Sequence, residues 1–397
     1  MNRFEWRATA ALSLLQALRM LGMFMILPVF ELYARDLPGG AAPMQIGLAI
    51  GLYGLVQACL QIPFGMLSDR IGRKPVIVMG LALFALGSFV AGHTHEIHWI
   101  IAGRAIQGAG AISGAVSALL ADVTRPQVRT TAMAIMGAGM GLSFIVALVL
   151  GPVLSGMIGV AGIFDLTGVL ALLAIPGMIF MVPDAPRLPA VPGGLRRALG
   201  DAQLLRLDGG IFLLHAMMTT LFIAAPQAIE QTLHLPSARH WEVYLPVLLL
   251  SIIPVFPMIR RIEASGRVKS AFLGAIVLLS IALLLASEVH ASATGLCLAL
   301  IVFFIGFNYL EGSLPSMISR RAPPEQKGAA LGVYASSQFL GGFAGGTLGG
   351  FALGHWGIGG AFAVAGLLPL IWLSFAVTLA PPPVHPLESG SLESGRP

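Results

Sequence analysis

The chain has 397 residues, 56% of them hydrophobic and 10% charged, with a mean hydropathy of +0.86. A soluble domain carries about 25% charged residues, so this chain has too few polar groups to cover a water-facing surface. An all-α polytopic membrane protein is implied. The net charge of +5 is set in such a chain by orientation signals and does not point to nucleic acid.

Apolar runs of about 20 residues, the length needed to cross hydrocarbon as a helix, fall near 8–34, 45–67, 75–93, 97–119, 131–155 and 161–182. The first run has no cleavage site after a short apolar core and is expected to stay as a spanning helix. A polar segment, 183–207, follows, with Pro183, Pro186, Pro189, Pro192, Gly193, Gly194, Arg196 and Arg197. It reads as a cytoplasmic linker carrying a short basic surface helix. Six more runs lie near 209–230, 242–259, 270–288, 293–318, 328–351 and 358–379. The organisation expected is a first six-helix half (1–182), the linker (183–207) and a second half (208–380). A tail, 381–397, repeats Leu-Glu-Ser-Gly; it is expected to be disordered, has the look of a cloning remnant, and is set aside.

With the N-terminus inside, nineteen of the 23 Lys and Arg fall in loops on one side, among them Arg70, Arg73, Lys74, Arg125, Arg129, Arg320 and Arg321. The other side keeps Arg35 and Arg239, and Arg19 and Arg104 remain inside spans. Such asymmetry places both termini in the cytoplasm. The halves also repeat at an offset of 198: Pro126, Arg129 and Ala132 meet Pro324, Lys327 and Ala330, and Gly151, Gly156 and Phe164 meet Gly349, Gly354 and Phe362. A duplicated six-helix unit of this kind places a substrate site near the midplane and works by alternating access.

The densest charge of the first half is Gly65-Met66-Leu67-Ser68-Asp69-Arg70-Ile71-Gly72-Arg73-Lys74. Arg70 follows a helix end, where a cation is favoured, and Asp69 precedes a helix start, where an anion is favoured. Gly72 permits a tight turn. A worn echo, Glu263, Gly266 and Arg267, stands between the eighth and ninth spans. A positive-inside turn is the plain alternative for a single such loop; the spacing and the echo argue for more.

Gly65–Lys74 resembles motif A of the major facilitator superfamily. Arg104-Ala105-Ile106-Gln107-Gly108-Ala109-Gly110 is similar to that family's motif B. Gly151-Pro152-Val153-Leu154-Ser155-Gly156 is similar to the motif C of proton-driven antiporters, with Ala147 and Ser155 standing where glycines are usual. The first span, Arg19 to Met25 with Leu27-Pro28, resembles the YajR-type branch of drug exporters, here without an extra soluble C-terminal domain. The resemblance covers about 8–380. It implies the major facilitator fold, twelve helices in two pseudo-symmetric six-helix bundles. It implies a conformational latch in which Asp69 and Arg73 join Asp122, while Gly65 brings the second helix against the eleventh. It also implies a part for Arg104 in proton coupling.

A charge at mid-bilayer costs roughly 2.5–3.5 kcal/mol on insertion scales, which makes each intramembrane ion a functional candidate. Arg19, Arg104, His215 and Glu311 are therefore candidates for proton coupling, with structural pairing as the plain alternative. Arg19 has no acid within a turn, so its partner must come from another helix. Asn308 and Tyr309 neighbour Glu311, and Tyr53, Gln57 and Gln61 form a polar stripe that faces a cavity or another helix rather than lipid; these five are the substrate-cavity candidates. Glu31, Asp165, Glu230 and Glu288 lie near outer span ends and read mainly as solvated, with Glu31 and Asp165 the first candidates for a gate. Met20, Met23, Phe24, Met217, Met218 and Phe222 suit an adaptable apolar cavity or a lipid-facing surface.

Cys59 and Cys297 sit in separate runs and suggest neither disulfide nor metal. No nucleotide loop, metal-ligand spacing or catalytic triad stands out, so no enzyme is expected, no cofactor and no metal. A proton gradient is the expected energy source. The leading reading is a proton-coupled antiporter for multidrug efflux of lipophilic or amphipathic compounds, monomeric, in a bacterial inner membrane. Alternatives are a transporter of one defined metabolite, importer or exporter, and a non-transporting membrane sensor.

Overall fold

The structure, a computed structural model, describes residues 1–182, 194–265, 267–323 and 327–380. Among them it is helical throughout, with no strand. The elements are α1 (Arg3–Met25), α2 (Phe30–Arg35), α3 (Pro43–Ile71), α4 (Arg73–Gly92), α5 (Ile97–Ala109), α6 (Ser113–Asp122), α7 (Pro126–Met181), α8 (Gly194–Ala198), α9 (Ala202–Leu233), α10 (Trp241–Ser265), α11 (Val268–Val289), α12 (Ala293–Arg321) and α13 (Lys327–Ala376). Ten helical segments, with α5 and α6 taken together, are long and apolar enough to span a membrane. Two of them, α7 and α13, are each two spans joined at a backbone break, so the expected twelve spans are present.

Those breaks occur at Gly159 (φ 71°, ψ 172°) and Gly357 (φ 68°, ψ −166°). This region of backbone space is essentially restricted to glycine. The two positions are 198 residues apart, the offset at which the sequence repeats. Packing repeats with them. In the fifth span Gly151 presses on the Met25 carbonyl of α1, and in the eleventh Gly349 lies against Thr220 of α9. Small residues at both places let the backbones approach closely.

Local chemistry fixes the ends. Asn2 and Glu5 form a capping box on α1, each side chain accepting from the other's backbone N–H at 2.8 Å. Glu5 also accepts from Arg125 Nε at 2.8 Å, which ties the turn before α7 to the start of α1. Asp201 caps α9 by accepting from the N–H groups of Gln203 and Leu204. That cap starts the seventh span at Ala202, inside the stretch read as linker. Residues 183–193 and 381–397, Pro324, Glu325 and Gln326, and Gly266 with the Glu263 side chain lie outside the described residues.

Two spans are not continuous. The first breaks between Met25 and Phe30, at Pro28, which has no N–H to give the helix. The fourth breaks between Ala109 and Ser113, where Gly110 leaves helical geometry (φ −72°, ψ 46°). Apolar composition carries no sign of that second interruption, and the fourth run reads in sequence as one unbroken helix.

The basic end of the molecule, which holds the α1 N-terminus, the α3–α4 turn and Arg320–Arg321, is open between spans two and eleven. A Cβ placed on Gly65, Gly328 or Gly332 would meet nothing within 4 Å. The opposite end is shut. Gly47 of α3 meets the Gly346 carbonyl of α13, Gly51 lies 3.0 Å from Phe343 Cα by the same measure, and Gly350 lies against Pro43.

Candidate functional site

Arg19 is the centre of the polar interior of the first six spans. It is 4% exposed. Its NH1 donates to Ser113 Oγ (3.0 Å), and its NH2 donates to Tyr53 Oη (2.9 Å), Gln57 Oε1 (2.5 Å) and the Gly110 carbonyl (3.0 Å). The broken fourth span explains that last bond. An unwound turn releases a carbonyl that a continuous helix would have consumed. The partners do come from other helices, as expected, but all four are neutral. Tyr53 and Gln57 therefore serve Arg19 in this conformation, and Gln61, third in the stripe, is buried beside them.

Arg104 is 2% exposed and forms a second centre. Its Nε donates to the Ala49 carbonyl (3.1 Å) and its NH1 to Gln107 Oε1 (2.8 Å); Gln107 Nε2 then donates to Ser88 Oγ (2.7 Å). The guanidinium also lies 4.8 Å from the Tyr53 ring centroid. Such a stack contributes about 2 kcal/mol or more when desolvated. Gln107 on the same helix face is the i+3 partner that the spacing predicts.

In the last six spans the corresponding interior carries acids. Gln338 Nε2 lies 2.8 Å from His215 Nε2 and 3.3 Å from Glu311 Oε1. One amide group thus supplies both of its N–H bonds, one to the imidazole and one to the carboxylate. Accepting at Nε2 makes His215 the Nδ1–H tautomer, and that nitrogen lies 3.9 Å from Glu311 Oε2. The Glu311 side chain is 36% exposed. Nearby, Tyr334 is within Coulombic reach of both Glu311 and Asp208. Asp208 is itself buried, and its Oδ1, the Tyr334 hydroxyl and the Ser336 hydroxyl have no protein partner. Asn308 turns away to donate to Ser251 Oγ (3.1 Å). Tyr309 is buried and its backbone carbonyl accepts from Ser313.

Gln338 and Asp208 were not legible as site residues. Gln338 is uncharged in a small-residue stretch. Asp208 stands at the edge of a polar segment, where an acid is ordinary.

At the basic end Arg73 bonds Asp69 Oδ1 and, at 3.1 Å, Asp122 Oδ2, and donates to Ser68 Oγ at 2.7 Å. Gly72 turns the chain at φ 107°. Arg70 is exposed and Lys74 half-buried. The charge network is formed. The contact expected at Gly65 is not made in this conformation, because spans two and eleven diverge at this end and touch at the other. In the fifth span Pro152 lies within α7, and Gly156 packs on Ala238 in the turn between α9 and α10.

Between the two ends lies an aromatic layer. Phe144 meets Phe24 (5.0 Å between centroids), Phe222 (6.2 Å) and Phe307 (6.2 Å). Phe307 borders His215 and Phe222 borders Tyr244. Met20, Met23, Met217 and Met218 are buried, so the chosen Met and Phe side chains face the interior rather than lipid. Beyond the layer, Arg35 NH2 donates to Glu230 Oε2 at 2.6 Å and joins the first six spans to the last six. Glu31, read as a mainly solvated end, is 2% exposed instead, because α2 packs against both α3 and α9. Asp165 pairs with His93 at 3.2 Å.

A family model described as the Major Facilitator Superfamily matches residues 12–345 and, in an overlapping second match, 207–396. The chain belongs to the Major Facilitator Superfamily. Among its relatives is the inner membrane transport protein YajR of Escherichia coli K12, 42% identical over 385 residues, which are 96% of this chain and 84% of that protein. More distant is the multidrug resistance protein MdtH of Aeromonas hydrophila, 26% identical over 351 residues, 86% of each. Among solved structures, that of a D-xylose-proton symporter superposes with a TM-score of 0.75 over 96% of this chain and 98% of the other, at 15% identity. The likeness at that identity is one of fold. Facilitator proteins move small molecules across membranes, and the relatives of this chain are transporters, not enzymes.

Proposed function

We propose that this facilitator is a proton-coupled antiporter that exports lipophilic or amphipathic small molecules across a bacterial inner membrane, as a monomer with both termini in the cytoplasm. The observation that carries the reading is the Glu311–Gln338–His215 group, a carboxylate and an imidazole inside the spans that share one amide. A carboxylate here holds a charge at a cost that protonation removes. With Glu311 ionised, Gln338 donates to both neighbours. When a proton reaches Glu311, its O–H becomes a donor and the Gln338 amide turns over to accept it. His215 Nε2 then loses its donor, so protonation at one group is felt at the other.

In this cycle Glu311 loads a proton from the periplasm while that end is open. The end then shuts, giving the conformation seen here, and a substrate entering from the basic end displaces the proton. Each charge moved across 100 mV supplies about 2.3 kcal/mol. The Asp69–Arg73–Asp122 group sets the balance between the two conformations and does not touch substrate. The apolar Met and Phe side chains support the substrate class, as does the multidrug name of the MdtH relative.

Proteoliposomes with an imposed pH gradient test the reading, using a panel of lipophilic cationic dyes and small polar metabolites. Gradient-driven movement of several dyes supports it. Movement of one metabolite alone replaces it with a dedicated transporter, and no flux or counterflow for any of them replaces it with a non-transporting sensor.

A further inference from the structure

A cavity of about 560 Å³ lies at the shut end, on the far side of the aromatic layer from Glu311. It is built by both sets of six spans: Glu31, Arg35 and Ile46 from one, and Gln227, His290, Leu353 and Trp356 from the other. Nothing in the transport reading uses it.

Its polar groups are mismatched in one direction. Glu31 Oε2 and Gln227 Oε1 are both buried and have no hydrogen-bond partner in the protein. Both are acceptors, so the cavity lacks donors rather than acceptors. Arg35, the cation nearest to hand, is engaged elsewhere: it donates to Glu230 at 2.6 Å and lies 3.7 Å from Asp36. The imidazole facing the cavity is that of His290, whose Nδ1 is 2.9 Å from the Ser287 carbonyl and is turned to its own helix end. Gln231 adds a neutral amide to the wall, the other lining residues are small or apolar, and Trp356 stands exposed at the rim. A buried carboxylate and a buried amide oxygen without donors each carry a desolvation cost that a cationic N–H group would remove. An indole face beside them attracts the same cation.

We infer that this cavity is a binding site for a primary ammonium carried on a small apolar or aromatic body, separate from the Glu311 site. The ammonium donates to Glu31 Oε2 and Gln227 Oε1, and the apolar body lies among Ile46, Leu353 and Trp356. The site is formed in the conformation described here, with Arg35–Glu230 closed. Occupancy would therefore hold this end shut, since a ligand favours the state it binds.

Benzylammonium chloride is the probe, titrated calorimetrically into the purified full-length chain in detergent, with benzyl alcohol as the neutral isostere. No gradient is involved, so the result does not depend on whether the chain transports protons. Benzylammonium should bind about tenfold or more tightly than benzyl alcohol, as expected for a charge-assisted contact. Glu31→Gln should weaken it by about tenfold, and Gln227→Leu by roughly threefold. Equal binding of the alcohol, unchanged affinity in Glu31→Gln, or no binding to the unaltered chain would each overturn the inference. Where Glu31→Gln does not fold, Gln227→Leu decides: an unchanged affinity there overturns it.

Discussion

The buried polar groups of the first six spans and those of the last six are organised on opposite terms. Arg19 and Arg104 are cations held by neutral acceptors: hydroxyls, amides and freed carbonyls, nearly all within 3.1 Å. Glu311 and His215 share a single amide, and Asp208, Tyr334 and Ser336 nearby keep buried atoms without protein partners. Each guanidinium of the first set is fixed by two or more bonds, with Arg19 Nε and Gln61 Oε1 left unpaired. The second set is linked through one amide and leaves Glu311 Oε2, His215 Nδ1 and the three neighbouring groups unpaired, which suits a group that exchanges protons or meets a ligand. The cations are thus held by several neutral partners each and the acids by one shared amide, although both sets were candidates in the sequence.

The comparison breaks most visibly at Arg19. Arg19→Met takes the arginine donor from Tyr53, Gln57 and the Gly110 carbonyl, while Ser113 keeps that of Gln16, and each orphaned group costs about 1–3 kcal/mol. The expected outcome is a loss of 3 kcal/mol or more in stability on that scale, read as a large fall in Tm in detergent. A variant that melts normally but fails to transport would move Arg19 into the set that exchanges protons or meets a ligand. On the other side, Glu311→Gln should melt within a few degrees of the unaltered chain. Its gradient-driven efflux should fall by on the order of 100-fold, the usual scale for removing a proton-transferring group. Proteoliposome flux and equilibrium dye binding separate the two effects, and full efflux by this variant would remove Glu311 from the proton path.

A third test concerns conformation. A Cβ at Gly47 would strike the Gly346 carbonyl at the shut end, and overpacking of this sort costs about 1–3 kcal/mol. Gly47→Ala should shift the population toward the state open at that end, read as longer spin-label distances between α2 and α10. Unchanged distances would mean that the seam has room to give. The smallest expected effect lies at the basic end. Asp69→Asn removes one of the two acids on Arg73 and should slow turnover several-fold, an exposed pair being worth about 1 kcal/mol or less. Substrate affinity should not change; weakened binding with normal turnover would refute a latch.

The fold was legible because lipid enforces it. Every backbone polar group in the bilayer must be satisfied within its own helix, so apolar length locates each span, and both glycine breaks fall in the gaps expected between runs. The site was legible only where charge marked it. Arg19, Arg104, His215 and Glu311 announced themselves by their insertion cost. Gln338 did not, since a neutral amide costs little in a small-residue helix, yet it links the two titratable groups. The Tyr53–Gln57–Gln61 stripe correctly signalled an interior face, but periodicity cannot say whether the occupant is a substrate or a neighbouring arginine. Glu31 misled for a related reason. A residue near a span end is solvated only if no neighbouring span covers it, and here α2 lies against α3 and α9.

The hinges at Gly159 and Gly357 bear on how this chain can change length. Each joins two spans with no connecting loop, so one inserted residue would rotate the following helix by about 100° about its axis. Residues now facing the interior would then face lipid. Deletions there would act the same way in the opposite sense. Insertions and deletions should therefore be tolerated in the turns at 36–42 and 93–96 and purged around the two glycines. The family's drift in length would be written almost wholly into its hairpins, leaving these two bends at a fixed register.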